Sequence, residues 1–185
     1  LLGLRDNLAD ARGTLEQTAM FDPLTKTLNE KAFLTLSRGE LERARRAQAP
    51  LSLIAIDVEN FSEVSEKHGK DIANDMLMLI AQAIREKSRP YDGVGRYGEN
   101  IFLIPLPGVI GQDAEKIATR IAKGIMNTDI SLLDGTALDV KLGAGVVSSM
   151  RITAATEIEM LIEKAGEALA GSRQDGDDQV YTIFL

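Results

Sequence analysis

The alternation of strand-like and helix-like patterns after Pro50 constrains the fold more than any other feature of this 185-residue sequence. Short apolar runs predict strands, and longer stretches with apolar residues every three or four positions predict helices. They occur in the order strand, helix, helix, strand, strand, helix, strand, helix, strand, with predicted bounds of 51–57, 61–67, 70–87, 92–96, 101–106, 111–127, 137–148, 156–172 and 178–184. A shorter strand over 130–133 is left open. This order predicts an α+β fold of the ferredoxin-like kind, in which helices flank a mainly antiparallel sheet.

Two further helices are predicted before Pro50. The first spans residues 1–20, because apolar or small residues recur at three- and four-residue steps: Leu1, Leu4, Leu8, Ala11, Leu15 and Thr18. Such a stripe fits a coiled coil or a terminal helix packed on its own domain. Pro23 ends this helix, since proline disfavours helix at the preceding residue, and the second helix runs over 29–48. The chain is therefore divided into a linker or signalling helix, 1–20, and a domain, 21–185.

Charge and cysteine content exclude several kinds of function. The chain has 21 Lys and Arg against 28 Asp and Glu, a net charge of −7, so it lacks the excess of cations that non-specific nucleic-acid binding needs. The absence of cysteine excludes disulfides and thiolate metal sites. No apolar run reaches the roughly 20 residues that span a bilayer. We expect a cytoplasmic domain of a longer protein, whose sensor or membrane anchor would lie upstream of Leu1.

A predicted hairpin tip, Arg96-Tyr97-Gly98-Glu99-Asn100-Ile101-Phe102, carries the most specific signal. Other segments lie at fixed distances before it: Asp22-Pro23-Leu24-Thr25 with Asn29, Asp57-Val58-Glu59-Asn60-Phe61 at the end of the first strand, Gly69, and Arg89-Pro90-Tyr91-Asp92. In this order and spacing they resemble the GGDEF domain of diguanylate cyclases, enzymes that join two GTP molecules into cyclic di-GMP. The resemblance covers residue 21 to the end and implies the nucleotidyl-cyclase type of α+β fold.

The resemblance also implies that the catalytic signature is degenerate. In the family, an aspartate at the end of the first strand and the acidic third residue of the signature hold magnesium. Asp57 keeps the first position, but Asn100 replaces the second, and a neutral amide is a poorer magnesium ligand than a carboxylate. Ile101 replaces the family's glutamate near the reacting centre, and Glu99 replaces the second glycine, where its bulk and charge would oppose a triphosphate. We expect no catalytic residue and no cofactor, with magnesium at Asp57 only if nucleotide binding persists.

Other positions implied by the resemblance have also lost their chemistry. The family's guanine-contacting asparagine and aspartate correspond to Ser65 and Asn74, and its phosphate-contacting lysine after the phenylalanine corresponds to Ser62. A lysine and an arginine near the last loop correspond to Arg173 and Asp177, of which only Arg173 keeps the charge. These losses point away from a working cyclase.

The resemblance also implies a second site, for an anionic product, whose motif residues are present. In the family, Arg-x-x-Asp before the hairpin forms the inhibitory site that binds the product, and here it is Arg89 and Asp92. An arginine can pair bidentately with phosphate or the guanine edge, while an aspartate accepts guanine N–H groups. Lys116 and Arg120 on the following predicted helix lie where such sites often take a further arginine. We predict a cyclic di-GMP site at these four residues.

Three functional hypotheses follow. The first is an inactive GGDEF domain that senses cyclic di-GMP. The second is a module that binds no nucleotide and regulates other domains of the parent protein, with the first helix transmitting homodimer geometry. The third is a residual diguanylate cyclase. Nucleic acid is not an expected partner under any of them.

Overall fold

A computed structural model describes residues 2–132, 134–174 and 180–185, without the side chains of residues 2, 4–6, 9, 14, 16–18, 173 and 174. Within these residues the chain forms helices and strands in the predicted order. The elements are α1 (Leu2–Met20), α2 (Glu30–Ala47), β1 (Leu51–Val58), α3 (Phe61–His68), α4 (Lys70–Lys87), β2 (Gly95–Tyr97), β3 (Ile101–Pro107), α5 (Gly111–Met126), β4 (Leu142–Ser149), α6 (Ile158–Gln174) and β5 (Tyr181–Phe184).

The strands form one sheet in the order β2-β3-β1-β4-β5. β1 is central and antiparallel to both β3 and β4, and β2 and β3 form the predicted hairpin. Among the strands that the structure describes, β4 and β5 form the one parallel pair, because α6 connects them as a crossover. The mixed five-stranded sheet confirms the predicted fold class, mainly antiparallel and flanked by helices.

Helices cover both faces of the sheet, so all eight residues of β1 are buried. Successive side chains of a strand point to opposite faces. Ile54, Ile56 and Val58 pack with α3, α4 and α5, whereas Leu51, Leu53 and Ala55 pack with α2 and α6. A continuous apolar run, without polar alternation, is the pattern that burial on two faces requires.

The segment 137–141 departs from the prediction of a strand over 137–148. β4 begins only at Leu142, opposite Val58, the last residue of β1. Beyond that point the Asn60 side chain bonds the segment instead: its Nδ2 donates to the Asp139 carbonyl at 2.7 Å, and its Oδ1 accepts from the Lys141 N–H at 3.0 Å. Over 130–133, where the sequence leaves a strand open, the structure has an isolated bridge between Ser131 and Ala137. Leu133 lies outside the described residues.

The remaining boundary differences are small. β2 begins at Gly95 because Asp92 belongs to a turn that closes on Arg89. β5 begins at Tyr181. The predicted strand positions 178 and 179 lie outside the described residues.

The N-terminal helix α1 presents part of its predicted stripe to solvent. Leu8 is 59% exposed and Leu15 is 69% exposed, and residues seven apart lie on the same side of a helix. The side chains of Leu1, Leu4 and Thr18 lie outside the described set. The Asn29 side chain donates to the Ala19 carbonyl at 3.0 Å and fixes the end of α1. No helix among the described residues combines the length and apolar content needed to cross a bilayer.

If the Leu8 and Leu15 stripe forms a dimer seam, charge on it will dissociate the dimer. We expect the wild-type chain to be dimeric and Leu8→Glu/Leu15→Glu to be monomeric by light scattering, because two carboxylates would be buried in an apolar seam. Asn7→Glu, at an exposed position off the stripe, is the matched control and should stay dimeric. The same mass for wild type and the double variant would contradict the seam.

Candidate functional site

The hairpin tip is built around a three-residue loop. β2 and β3 pair up to Tyr97 and Ile101, leaving Gly98, Glu99 and Asn100 as the loop. Gly98 has a φ of 68°, a left-handed conformation that glycine adopts without a Cβ clash. Phe102, opposite Ile56 in β1, is fully buried and anchors the start of β3.

Arg96 connects this tip to the loop that follows α1. Its Nε and Nη2 donate to the Glu99 carbonyl at 3.0 and 2.7 Å, and its Nη1 lies 3.1 and 3.2 Å from the two carboxylate oxygens of Asp22. Asp22 also accepts from the N–H and the hydroxyl of Thr25, both at 2.8 Å. The two charged side chains are only 15% and 17% exposed, so water weakens their attraction less than at a surface.

The pKa of Asp22 reflects these contacts. Burial alone would raise the pKa, but the hydrogen bonds from Thr25 and the positive charge of Arg96 outweigh it and leave the pKa below its usual value. The native structure therefore favours the ionised carboxylate.

Asp57, at the end of β1, is 3% exposed and pairs in the sheet with Ile101 and Gly143. Asn100 donates through its Nδ2 to the Asp57 carboxylate at 2.7 Å and to the Val58 carbonyl at 3.0 Å. Both partners are acceptors, so the amide must present its NH₂ group to them. The neighbouring Ile101 is half-buried against the cluster formed by α2 and α6.

This arrangement does not fit a magnesium ion. Magnesium requires converging oxygen ligands, whereas Asn100 turns a hydrogen-bond donor toward Asp57. Among the described residues no group of three or more acidic or histidine side chains could hold a metal. The donor set at the hairpin tip is therefore that of a hydrogen-bonded strand end.

Arg89 and Asp92 lie in one turn at the edge of a concave pocket. The Asp92 carboxylate accepts from the Arg89 N–H at 2.9 Å, and the Asp92 N–H donates to the Arg89 carbonyl at 3.0 Å. The pocket has a volume of about 300 Å³. It is bounded by the loop after α1, the end of α4 and the Arg89 turn, with these lining residues: Phe21, Lys26, Leu28, Leu36, Arg85, Ser88, Arg89, Pro90, Tyr91, Asp92, Gly93 and Val94.

The family model described as "Diguanylate cyclase, GGDEF domain" matches residues 19–179. The chain belongs to the GGDEF domain family. Diguanylate cyclase DosC of Escherichia coli K12 is 30% identical over 161 residues, which are 86% of this chain and 34% of that protein. Diguanylate cyclase DgcP of Pseudomonas aeruginosa is 25% identical over 164 residues, 89% of this chain and 24% of that protein. The chain thus spans about a third or less of these relatives' length.

Solved GGDEF structures share the fold. Diguanylate cyclase SiaD of Pseudomonas aeruginosa, solved with its activator SiaC, has a TM-score of 0.83 and 27% identity, covering 97% of this chain and 68% of that one. The coiled coil and GGDEF domain of DgcB from Caulobacter crescentus, solved with c-di-GMP, has a TM-score of 0.87 over 98% of this chain and 95% of that one. At 18% identity, the DgcB likeness shows the fold alone.

The GGDEF domain brings some predicted site residues together and separates others. Arg89 and Asp92 share the pocket, but Lys116 and Arg120 are absent from its lining. Both are exposed on α5, where Lys116 pairs with Asp113 at 3.2 Å. Their part in a ligand site stays a prediction. Ser62 and Ser65 lie on α3 and Asn74 lies on α4, while the Arg173 side chain and Asp177 lie outside the described residues.

Two pocket residues were missed by sequence reasoning. Lys26 and Arg85 line the pocket with Arg89, although 59 residues separate Lys26 from Arg85, whose Nη1 donates to the Lys26 carbonyl at 3.3 Å. A signal for Lys26 was present, because it directly follows the motif segment Asp22-Pro23-Leu24-Thr25.

The lowered pKa of Asp22 predicts a pH-dependent contribution to stability. A depressed folded-state pKa adds stability above the unfolded value of about 3.9, and this stability is lost as pH falls through the folded pKa. Asp22→Asn should lower the free energy of unfolding by about 1–2 kcal/mol at pH 7, with the difference from wild type shrinking below about pH 4. Urea unfolding at a series of pH values measures both.

Asp113→Asn is the matched control, because it removes an exposed ion pair whose loss should cost less than about 1 kcal/mol. Equal stability of wild type and Asp22→Asn at pH 7 would contradict the assigned contribution of the Asp22–Arg96 pair.

Proposed function

We propose that this GGDEF domain makes no cyclic di-GMP and instead senses cyclic di-GMP through Arg89 and Asp92. The observation that carries the proposal is the contrast between its two sites. At the hairpin tip the carboxylate chemistry is replaced by an amide donor and an aliphatic side chain. At the Arg89 turn, a pocket with exposed cationic and acceptor groups is present.

Asn100 and Ile101 are the residues that support the inactivity. Activation of a 3′-hydroxyl toward a triphosphate needs a metal ion or a general base close to the reacting oxygen. Asn100 uses its amide NH₂ on Asp57 and Val58, so it presents a donor to Asp57 where a shared metal would need an oxygen ligand. Ile101 can neither accept a proton nor ligate, and Glu99 adds an exposed negative charge at the loop that repels a triphosphate.

The chemistry of the Arg89 turn supports the sensing function. Arg89 is exposed, so its guanidinium is accessible to a phosphate or a guanine edge. One oxygen of Asp92 holds the turn, and within the described residues the other oxygen has no hydrogen-bond partner. That oxygen remains available for a guanine N–H. The solved DgcB domain was crystallised with c-di-GMP, which supports the ligand class for a domain of this fold.

A regulatory module that binds no nucleotide is the second candidate. It is favoured by the exposure of Leu8 and Leu15 on α1, which offers an apolar surface to a second copy or to another domain of the parent protein. Cyclic di-GMP binding distinguishes the two candidates.

We expect the chain, incubated with GTP and magnesium, to form no cyclic di-GMP above background, measured by chromatography. Full-length DosC is the positive control in the same assay. The variant Glu99→Gly/Asn100→Glu/Ile101→Glu should also stay inactive, because Ser62, Ser65 and Asn74 still lack the predicted nucleotide contacts. Wild-type turnover that Asp57→Ala abolishes would instead establish a residual cyclase.

We expect cyclic di-GMP to bind the wild-type chain with a measurable heat in isothermal titration. Arg89→Ala removes a charge-assisted hydrogen bond worth about 1.5–3 kcal/mol and should weaken binding about 10- to 100-fold. Asp92→Asn keeps an acceptor for the turn but loses the charge, and it should weaken binding as well.

Two variants outside the pocket serve as controls. Arg46→Ala removes an exposed arginine near the end of α2, and Asp57→Ala alters the hairpin site; neither should change the affinity. The absence of heat and of a thermal shift with wild type at hundreds of micromolar would reject the sensor and favour the regulatory module.

A further inference from the structure

We infer that Lys26 is a ligand-binding residue of this pocket, acting with Arg85 as a second source of phosphate contacts besides Arg89. The inference rests on the proposed sensing function, since it concerns the same pocket. It assigns residues that neither the Arg89 turn nor α5 supplies.

Lys26 has an unfavourable backbone conformation. Its φ of 57° lies in the left-handed region, where the only other described non-glycine residue is Gln48, at 51°. A residue with a Cβ is disfavoured there, and only glycine, asparagine and aspartate adopt this region readily. A persistent outlier of this kind calls for a reason outside local backbone preference.

Among the described residues, the hydrogen bonds of Lys26 are made by its backbone. Its N–H donates to the Asp22 carbonyl at 2.9 Å and closes the loop, and its carbonyl accepts from Arg85 at 3.3 Å. Any residue supplies these two groups, and glycine would do so with less strain. Within the described part of the chain, the Lys26 ammonium forms no ion pair. Lys26 is exposed, and no ion pair among the described residues fixes the identity of its side chain.

The charge of the pocket points to an anionic ligand. Lys26, Arg85 and Arg89 are its cationic residues, and Asp92 is its only acidic one among the described residues. This local excess of positive charge occurs in a chain with a net charge of −7. Like charges gathered in one concave site repel each other unless an anion binds between them.

The lining also suits planar rings. Phe21, directly after α1, is 40% exposed, and Tyr91 is 96% exposed. Exposed aromatic faces offer stacking surfaces to nucleobases. Three cations, one from the loop after α1 and two from the end of α4 and the turn that follows it, fit a compact ligand with more than one phosphate, and the aromatic rings fit its bases. A cyclic dinucleotide has both features.

The test is titration of the full chain with cyclic di-GMP at low and high salt, together with thermal unfolding. Lys26→Gln should bind about three- to tenfold more weakly at low salt, with a smaller salt dependence, because one charge-assisted contact is lost. Lys26→Gly should lose the same affinity while its Tm without ligand rises by about 1–4 °C, since glycine relieves the left-handed strain.

Two matched controls separate charge and strain from ligand contact. Gln48→Gly relieves the same kind of strain at the end of α2, away from the pocket, so its Tm should rise while its affinity stays that of wild type. Lys31→Gln removes an exposed lysine of α2 that does not line the pocket, and it should change neither the Tm nor the affinity.

Wild-type affinity in Lys26→Gln and Lys26→Gly would overturn the inference and leave the sensing function standing. No binding by wild type itself would reject both.

Discussion

The contact between Arg96 and Asp22 is the interaction on which both candidate sites depend. The guanidinium joins the hairpin tip, through the Glu99 carbonyl, to the loop that follows α1, through Asp22. Without it, a three-residue hairpin loop and an irregular segment of the chain would each have to hold their conformation alone, at an entropic cost of about 1–2 kcal/mol per ordered residue. Because both side chains are mostly buried, loss of one would leave the other without its charged partner, at a cost in stability.

The regular elements followed from local pattern, whereas contacts between distant segments did not. The apolar run of β1 and the hairpin around 98–100 were predicted because periodicity and turn residues are local signals. The segment 137–141 kept the alternation of a strand, but Asn60, far away in sequence, took its backbone hydrogen bonds. Arg89 and Asp92 were predicted from the resemblance to the family's Arg-x-x-Asp motif. Lys26 and Arg85 were not, because no periodicity indicates that the ends of two distant segments form one pocket.

The position of Asn100 explains how the Asp57 carboxylate is accommodated at the end of β1. A carboxylate that is 3% exposed is costly unless it is paired or hydrogen-bonded. A second carboxylate at position 100 would repel it and would need a cation between the two. The Asn100 amide removes that requirement, since it donates to Asp57 and to the Val58 carbonyl with one NH₂ group. Asn100 thus stabilises the end of β1 through these two hydrogen bonds.

The two sites can therefore change independently. The hairpin site uses the ends of β1 and β3, whereas the pocket uses the loop after α1, the end of α4 and the Arg89 turn. The two sites share the Arg96–Asp22 pair. This pair depends on the backbone of the hairpin tip, because Arg96 donates to the Glu99 carbonyl and not to a side chain of residues 98–102. Substitutions at positions 99, 100 and 101 can remove the chemistry of the tip while its backbone continues to position Arg96. A domain built in this way can lose catalysis without losing the scaffold of its second site.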